Sequence, residues 1–377
     1  MRVCIIGGGP SGLFLAKELL KNNMHVHIYE KENKIGGLYT SSFLPEYKKT
    51  NTFFSEILNS KNIKIFDSQE IKRSDLFYLQ NYYHAIVFAT GSDKSKQLSI
   101  RGSKYCMKSS DITKWYNGFY KNIEIGNKIC IIGMGDVSFD IVRYLLDSKN
   151  MFGTPESKIQ ADKVKSVTVI GRSTPFKSSF NNYSLSRIYD IQDLKIKTNI
   201  KSLNKNFYSK NMLKNAEIDH KKSNESTINY FDDYNNKDMN TFENPSHHSN
   251  NANIDKYFNN EEYELSVKKH MRRKKLLNTV KDIGSKILNL NFGCKPIKIE
   301  KKEDKYILKY NCNNRIYKKR YDTVISSIGN IKKNISDIKL KIPIFRIGWC
   351  VNPNGNLSQM KENAEIISKD ILKELTL

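Results

Sequence analysis

At 377 residues, with 38% hydrophobic and 27% charged residues, the chain exceeds one typical domain, and two are expected. The formal net charge of +24 raises three partner classes, an acidic protein, nucleic acid or a membrane surface, although Lys and Asn are abundant throughout. No apolar run approaches the ~20 residues that span a bilayer, and the six cysteines form no C-x-x-C pair and no metal-ligand spacing with His; this excludes a spanning segment and predicts a reducing-compartment chain with no metal and no structural disulfide.

In chain order, Arg2–Ile6 reads as a short buried strand, Gly7 to Gly12 as a glycine turn, and Leu13 to Asn22 as a helix. His25–Glu30 alternates "HVHIYE" and reads as the next strand. A βαβ opening of this kind implies parallel strands and a right-handed crossover. With its first strand at Arg2, the chain is expected to carry no targeting segment. His84–Asp93, "HAIVFATGSD", gives a further strand. The pattern then repeats: strand Lys128–Ile132, turn Gly133–Ser138, helix Phe139–Leu146, strand Ser166–Arg172. Later strands are expected at Lys305–Tyr310 and Tyr321–Gly329, and a closing helix from Leu357 to Leu375. From about Lys205 to Glu262 the sequence is rich in Asn, Lys, Ser and Asp. It cannot bury enough apolar surface to offset ordering entropy, so a disordered insertion is expected, with His247 and His248 incidental.

The first turn has the form Gly7-x-Gly9-x-x-Gly12. A strand precedes it, a helix follows, and Glu30 ends the next strand, where an acid can bind ribose hydroxyls. The second, Gly133-x-Gly135-x-x-Ser138, has a small residue at the third position. Its following strand ends in Arg172, which can pair with a 2′-phosphate that an acid would repel. The first unit therefore suits FAD or NAD and the second NADP. Two such units in tandem imply a hydride passed from nicotinamide to flavin and electrons passed on. Without a redox cysteine pair the acceptor is external.

Several stretches together resemble the adrenodoxin reductase type of ferredoxin–NADP reductase. They are "CIIGGGPSGL", "WYNG" at Trp115–Gly118, "GMGDVSFDIVRYLL", "VIGRSTP", "SSIG" at Ser326–Gly329, "IGW" at Ile347–Trp349 and "PNG" at Pro353–Gly355. The resemblance covers the chain outside the insertion. It implies an α/β fold of two Rossmann-like dinucleotide-binding domains, the NADP domain (112–325) inserted into an FAD domain (1–111 and 326–377), with 205–262 as the low-complexity insertion. It implies electron transfer from NADPH through FAD to an acidic [2Fe–2S] ferredoxin, a mitochondrial location, and a supply of electrons to iron–sulfur cluster assembly.

The site residues follow from the same resemblance. FAD would be held by Gly7, Gly9, Pro10, Ser11, Gly12, Glu30, Gly37, Leu38, Gly91, Gly348, Trp349 and Gly355. NADP would be held by Gly133, Gly135, Asp136, Val137, Arg172 and Ser173. Trp349, Gly355 and Asp140 would form the flavin's surroundings, with no covalent catalyst. The basic run Arg272, Arg273, Lys274 and Lys275 would meet the acidic ferredoxin. Departures from the family pattern are Ser173 for a second Arg, Ser184 for an acid, Asp136 for Asn, and Thr40, Glu46 and Tyr47 for Arg, Asp and His. They leave two alternatives: a different electron acceptor, small molecule or partner subunit, and a relative that binds nucleotide with little turnover. Basic residues that are scattered rather than interleaved with aromatics argue against nucleic acid. The chain is expected to be monomeric, with peripheral membrane association left open.

Overall fold

The computed structural model describes residues 1–41, 52–92, 94–120, 122–151, 153–199, 261–279, 281–332, 338–353 and 357–376. Residues 205–260 of the expected insertion, together with Glu46, Tyr47 and Gly355, lie outside them.

The chain begins with β1 (Arg2–Ile6), α1 (Pro10–Lys21), β2 (His25–Tyr29), α2 (Leu38–Ser41), α3 (Thr52–Leu58), β3 (Ile63–Phe66), α4 (Arg73–Leu79) and β4 (Ala85–Phe88). A late strand, β14 (Ile344–Arg346), completes a parallel five-stranded sheet of order β14-β4-β1-β2-β3. The closing helix, α10 (Leu357–Thr376), packs beside α1. Both ends of the chain thus build the first sheet. Residues 3–6 of β1 and all of β4 are buried, which is why they read as unbroken apolar runs rather than alternating ones. Each fully buried Ile, Val or Leu of such a strand contributes roughly 1.5–3 kcal/mol.

The middle of the chain builds a second parallel sheet of order β5-β13-β6-β7-β9-β8. Its strands are β5 (Met107–Lys108), β6 (Lys128–Ile132), β7 (Ser166–Gly171), β8 (Leu194–Thr198), β9 (Lys286–Phe292) and β13 (Thr323–Ser326). The helices are α5 (Ser109–Tyr116), α6 (Asp136–Asp147), α7 (Pro155–Asp162), α8 (Asn182–Tyr189) and α9 (Glu261–Asn278). Residue 111 falls inside α5, and β5 before it already pairs with β13. The "WYNG" tryptophan, Trp115, and its neighbour Tyr116 are buried at 1% and 0% exposure against Tyr144 of α6.

Between β9 and β13 lies an antiparallel three-stranded sheet of β10 (Cys294–Lys302), β11 (Lys305–Cys312) and β12 (Arg315–Tyr321). Its inner face, with Ile299, Leu308, Tyr310 and Tyr321, packs on Cys130, Ile132 and Ile170 of the second parallel sheet. The register aligns Lys298, Lys309 and Lys318 in one row across the outer face. The next row is Glu300, Ile307 and Arg320. Ile307 is only 7% exposed, sheltered by the stems of these long charged side chains.

Cys294 and Cys312 are directly opposed in the same register, Cα atoms 4.1 Å apart, and are joined as a disulfide. This corrects the expectation of no structural disulfide. A cross-strand pairing is set by register, which residue spacing does not reveal.

Two segments link the parallel sheets and pair with each other. Lys96 N–H donates to Gly329 O at 2.9 Å, Ile331 N–H to Lys94 O at 2.8 Å, and the Asn330 side-chain amide to Ser92 O at 3.0 Å. In these links Gly91 (φ +62°) and Gly329 (φ +85°) both take left-handed backbone, and an added Cβ would meet nothing within 4 Å at either. Two open, glycine-bent points therefore flank the double crossing between the sheets.

Candidate dinucleotide sites

The first glycine turn connects β1 to α1. Gly7 has φ +111°, and a Cβ there would lie 2.4 Å from Ala89 O, so the turn cannot accept a side chain. Its N–H donates to Tyr29 O at 2.8 Å, tying the turn to the end of β2. At Gly12 a Cβ would lie 2.2 Å from Gly7 O, so the helix closes directly on the turn. Gly9 is the N-cap of α1, no side chain caps it, and Pro10 follows at the first helical position. Helix N–H groups thus remain available to an anion. Gly37 approaches Gly9 so closely that a Cβ on it would lie 2.9 Å from Gly9 Cα. Leu38 follows, half-buried, at the start of α2.

Glu30 is 6% exposed and anchored through both oxygens. Gly8 N–H donates to Oε2 at 2.8 Å and Glu32 N–H to Oε1 at 3.0 Å. A carboxylate has about four acceptor positions, so capacity remains for ribose hydroxyls. The distant half of the site arrives as a short turn, Gly348–Cys350. A Cβ on Gly348 (φ +77°) would lie 2.1 Å from Ser11 Oγ, so this turn sits directly on the start of α1. Cys350 Sγ, 3.3 Å from Phe88 O, fastens it to β4. Trp349 Nε1 and Thr90 Oγ1 are buried and have no hydrogen-bond partner among the described residues. Buried polar atoms are ordinarily paired, so these two mark where a polar cofactor fits.

The second turn repeats the device. Gly133 has φ +120°, and a Cβ would lie 2.0 Å from Ser327 O. Its N–H donates to Ile170 O at 2.9 Å, tying it to the end of β7 as Gly7 is tied to β2. Gly135 is the N-cap of α6, again with no side-chain cap. Ser138 is fully buried, and its Oγ and that of Ser326 lack partners among the described residues. Arg172 is exposed just past β7, with Ser173 half-buried beside it. Val137 is 39% exposed, and Asp140 lies one turn further along α6, half-buried.

Asp136 does something the sequence reading did not foresee. Its Oδ1 accepts from Asn181 N–H at 2.8 Å, fixing the loop that runs from Arg172 to α8. Burial raises its carboxyl pKa against the opposing pull of Asn181, Ser184 and the cations Arg273 and Lys269.

Arg273 corrects the expected partner-binding run. It is 4% exposed and points inward. Nε donates to Asn182 Oδ1 at 2.9 Å, Nη1 to Pro175 O and Ser178 O at 3.1 and 3.2 Å, and Nη2 to Phe180 O at 2.5 Å. The guanidinium lies 4.3 Å from the Phe180 ring centroid. His270, Arg273 and Leu277 form the buried stripe of α9, whereas Arg272, Lys274 and Lys275 are exposed. A run of like charges concealed that stripe.

The thiols of Cys4 and Cys106 are pushed up to about 12 by burial, which leaves neither as a nucleophile.

Residues 1–230 match the pyridine nucleotide-disulphide oxidoreductase family, a span that includes both glycine turns and Arg172. The chain belongs to this family. Among its relatives, the probable mitochondrial NADPH:adrenodoxin oxidoreductase of Dictyostelium discoideum is 28% identical over 215 residues, 51% of this chain and 42% of that protein. The mitochondrial NADPH:adrenodoxin oxidoreductase of Bos taurus is 27% identical over 198 residues, 48% of this chain and 40% of that one. The chain therefore spans well under half the length of these curated relatives. In fold it is similar to Mycobacterium tuberculosis FprA, solved in complex with NADPH, with a TM-score of 0.75 at 17% identity over 100% of this chain and 84% of that one.

Proposed function

We propose that this family member is an FAD-dependent NADPH oxidoreductase of the adrenodoxin reductase type, delivering electrons to an acidic [2Fe–2S] ferredoxin. One observation carries the reading: two matching strand–turn–helix units end in opposite charges. The first ends in Glu30, buried and held by backbone N–H groups. The second ends in Arg172, exposed and in no ion pair among the described residues. The first suits the free ribose of FAD, the second the 2′-phosphate of NADPH.

The residues present fit both groups. Gly7, Gly9, Pro10, Ser11 and Gly12 offer the uncapped start of α1 to a diphosphate, with Glu30 at the ribose. Gly37, Leu38, Gly91, Gly348 and Trp349 line the approach, the Trp349 indole N–H being free to donate. Gly133 and Gly135 offer the start of α6, with Arg172 and Ser173 at the 2′-phosphate. Bound FAD supplies the conversion between a two-electron hydride donor and one-electron acceptors. The protein's part is to orient the two nucleotides and exclude water, with no covalent intermediate on a side chain. Arg272, Lys274 and Lys275 form the exposed basic face offered to the ferredoxin. The proposed division into an FAD domain and an inserted NADP domain is supported by the presence of two parallel sheets, although β5 and the end of β13 belong to the second sheet and lie just outside the 112–325 bounds. A mitochondrial location and a role in iron–sulfur cluster assembly are supported by the resemblance and by the mitochondrial labels of the relatives. Among the described residues no helix is long and apolar enough to cross a membrane.

The test is an absorbance spectrum of the purified protein during stepwise addition of NADPH, NADH and ferredoxin. The expected result is a yellow protein that bleaches with NADPH in preference to NADH, and cytochrome c reduction that depends on added ferredoxin. A protein that never bleaches is a nucleotide binder without turnover. One that bleaches but ignores ferredoxin has another acceptor.

A further inference from the structure

The loop from Ser173 to Asn181 follows Arg172 and lies over the second glycine turn. Ser179 Oγ donates to Met134 O at 3.4 Å, and a Cβ on Gly135 would lie 3.2 Å from the same Oγ. The far end of the loop is fixed by Asp136 through Asn181, and Asn181 Oδ1 accepts from Ser184 N–H at 2.6 Å to cap α8. These anchors lie at the ends of the loop or along its glycine-facing edge. The carbonyls of Pro175, Ser178 and Phe180 are held separately, and one side chain gathers all three. That side chain is Arg273, which also holds Asn182. Phe180, beneath the guanidinium, packs 4.8 Å from Phe139 of α6, so the same contact reaches the helix whose start faces the nucleotide.

We propose that Arg273 is a positioning residue for the nucleotide 2′-phosphate of the second site: it holds the 173–181 loop, and with it Arg172, in the arrangement that recognises that phosphate. This rests on the NADPH reading of that site. Three converging carbonyls with no cation between them would repel one another and draw in water. A planar five-donor guanidinium satisfies them together with the Asn182 amide oxygen, which a lysine ammonium with three donors cannot do. The four hydrogen bonds of Arg273 described above go to the loop and to Asn182. Arg273 acts through the loop backbone. Because α9 directly follows the 205–260 segment, the second site also depends on a helix about a hundred residues beyond Arg172 in the chain.

The test compares full-length wild type, R273K, R273Q, R172A and the R172A/R273K double variant. NADPH and NADH oxidation are measured with ferricyanide as acceptor, and amide hydrogen exchange is followed in the free proteins. Displacement of a positioning loop by an ångström costs up to about a hundredfold, and the conservative R273K should raise the KM for NADPH roughly tenfold. Its kcat, its KM for NADH and its flavin content should stay within about twofold of wild type, since none of these uses the 2′-phosphate contact. The double variant should be no worse than R172A alone, because both changes remove one interaction. Amides of 174–182 should exchange faster in R273K while β6 keeps its protection. The proposal is overturned by an additive double variant, by equal losses with NADPH and NADH, by unchanged loop exchange, or by flavin loss in both R273K and R273Q, which would make Arg273 a general stability residue. If wild type itself never oxidises NADPH, the nucleotide reading fails, and the exchange comparison alone still decides whether Arg273 holds the loop.

Discussion

The two glycine turns use one backbone device with two kinds of support. Gly7 and Gly133 both take positive φ, both donate to the last carbonyl region of the neighbouring strand, and both lie against the chain leaving another strand. Around the first turn an acid grips the loop directly, Glu30 holding Gly8 across a single βαβ unit, while the Gly348 turn covers the start of α1. Around the second, Asp136 turns sideways to Asn181, and Arg273 arrives from α9 to brace the loop beyond it. Two turns with the same glycine geometry are thus braced in different ways.

The strongest way to break the comparison is to give each turn a side chain. Gly7→Ala and Gly133→Ala both place a methyl group against a carbonyl oxygen, and each also strains a left-handed residue by about 1–2 kcal/mol. Gly7→Ala should yield protein that is colourless or insoluble. Gly133→Ala should stay yellow yet lose NADPH bleaching by about a hundredfold or more in kcat/KM, the equivalent of 2.7 kcal/mol. A colourless Gly133→Ala protein would show that the two turns are not independent.

Next in size is Arg172→Ala. One charge-assisted phosphate contact is worth about 1.5–3 kcal/mol, so the KM for NADPH should rise by roughly ten- to a hundredfold while NADH is unaffected. Equal losses with both nucleotides would place the 2′-phosphate elsewhere.

The smallest effect concerns Asp136. Burial raises the pKa of its carboxyl, so as the pH falls the neutral form gains population sooner than it would for an ordinary aspartate. Neutral Asp136 repels a diphosphate less, so NADPH should bind more tightly toward low pH. The stability sign agrees, since the folded state holds this proton more tightly than the unfolded state. That contribution is present at low pH and is lost as the pH rises through the folded pKa. Asp136→Asn should flatten the pH dependence of KM for NADPH relative to wild type, and an unchanged profile would discard this account.

Much of this was legible in the sequence for a physical reason. β1, β4 and β6 are buried on both faces and so leave apolar runs, and the glycines between strand and helix allow the positive-φ turns that a side chain would block. The pairing of "IGW" with the opening turn was also readable from the resemblance, and Gly348 against Ser11 is its physical form. What could not be read is what register and burial decide. β12, "RIYKKRY", is an edge strand with six of its seven residues exposed, and it carries no apolar alternation. β5 is two residues long. The Cys294–Cys312 pairing depends on which residues oppose each other. Arg273 sits in a run of bases that reads as solvated surface, and only the carbonyls of a distant loop make it a buried residue.

The aligned Lys298, Lys309 and Lys318 have a consequence for the molecule's solution behaviour. Like charges directly opposite across strands are destabilising, and Glu300 of the next row offsets part of this, by an ion pair with Lys298 at 2.7 Å and a weaker pull on Lys318. Yet among the described residues β12 is the edge of its sheet, the kind of surface on which a second copy could add a strand. The row charges that edge against its own kind. Since the Debye length shrinks from about 10 Å at 0.1 M salt to 3 Å at 1 M, the same salt that relaxes strain inside the sheet also lowers its guard against self-association, so added salt should steady the fold and shorten the shelf life of a concentrated solution together.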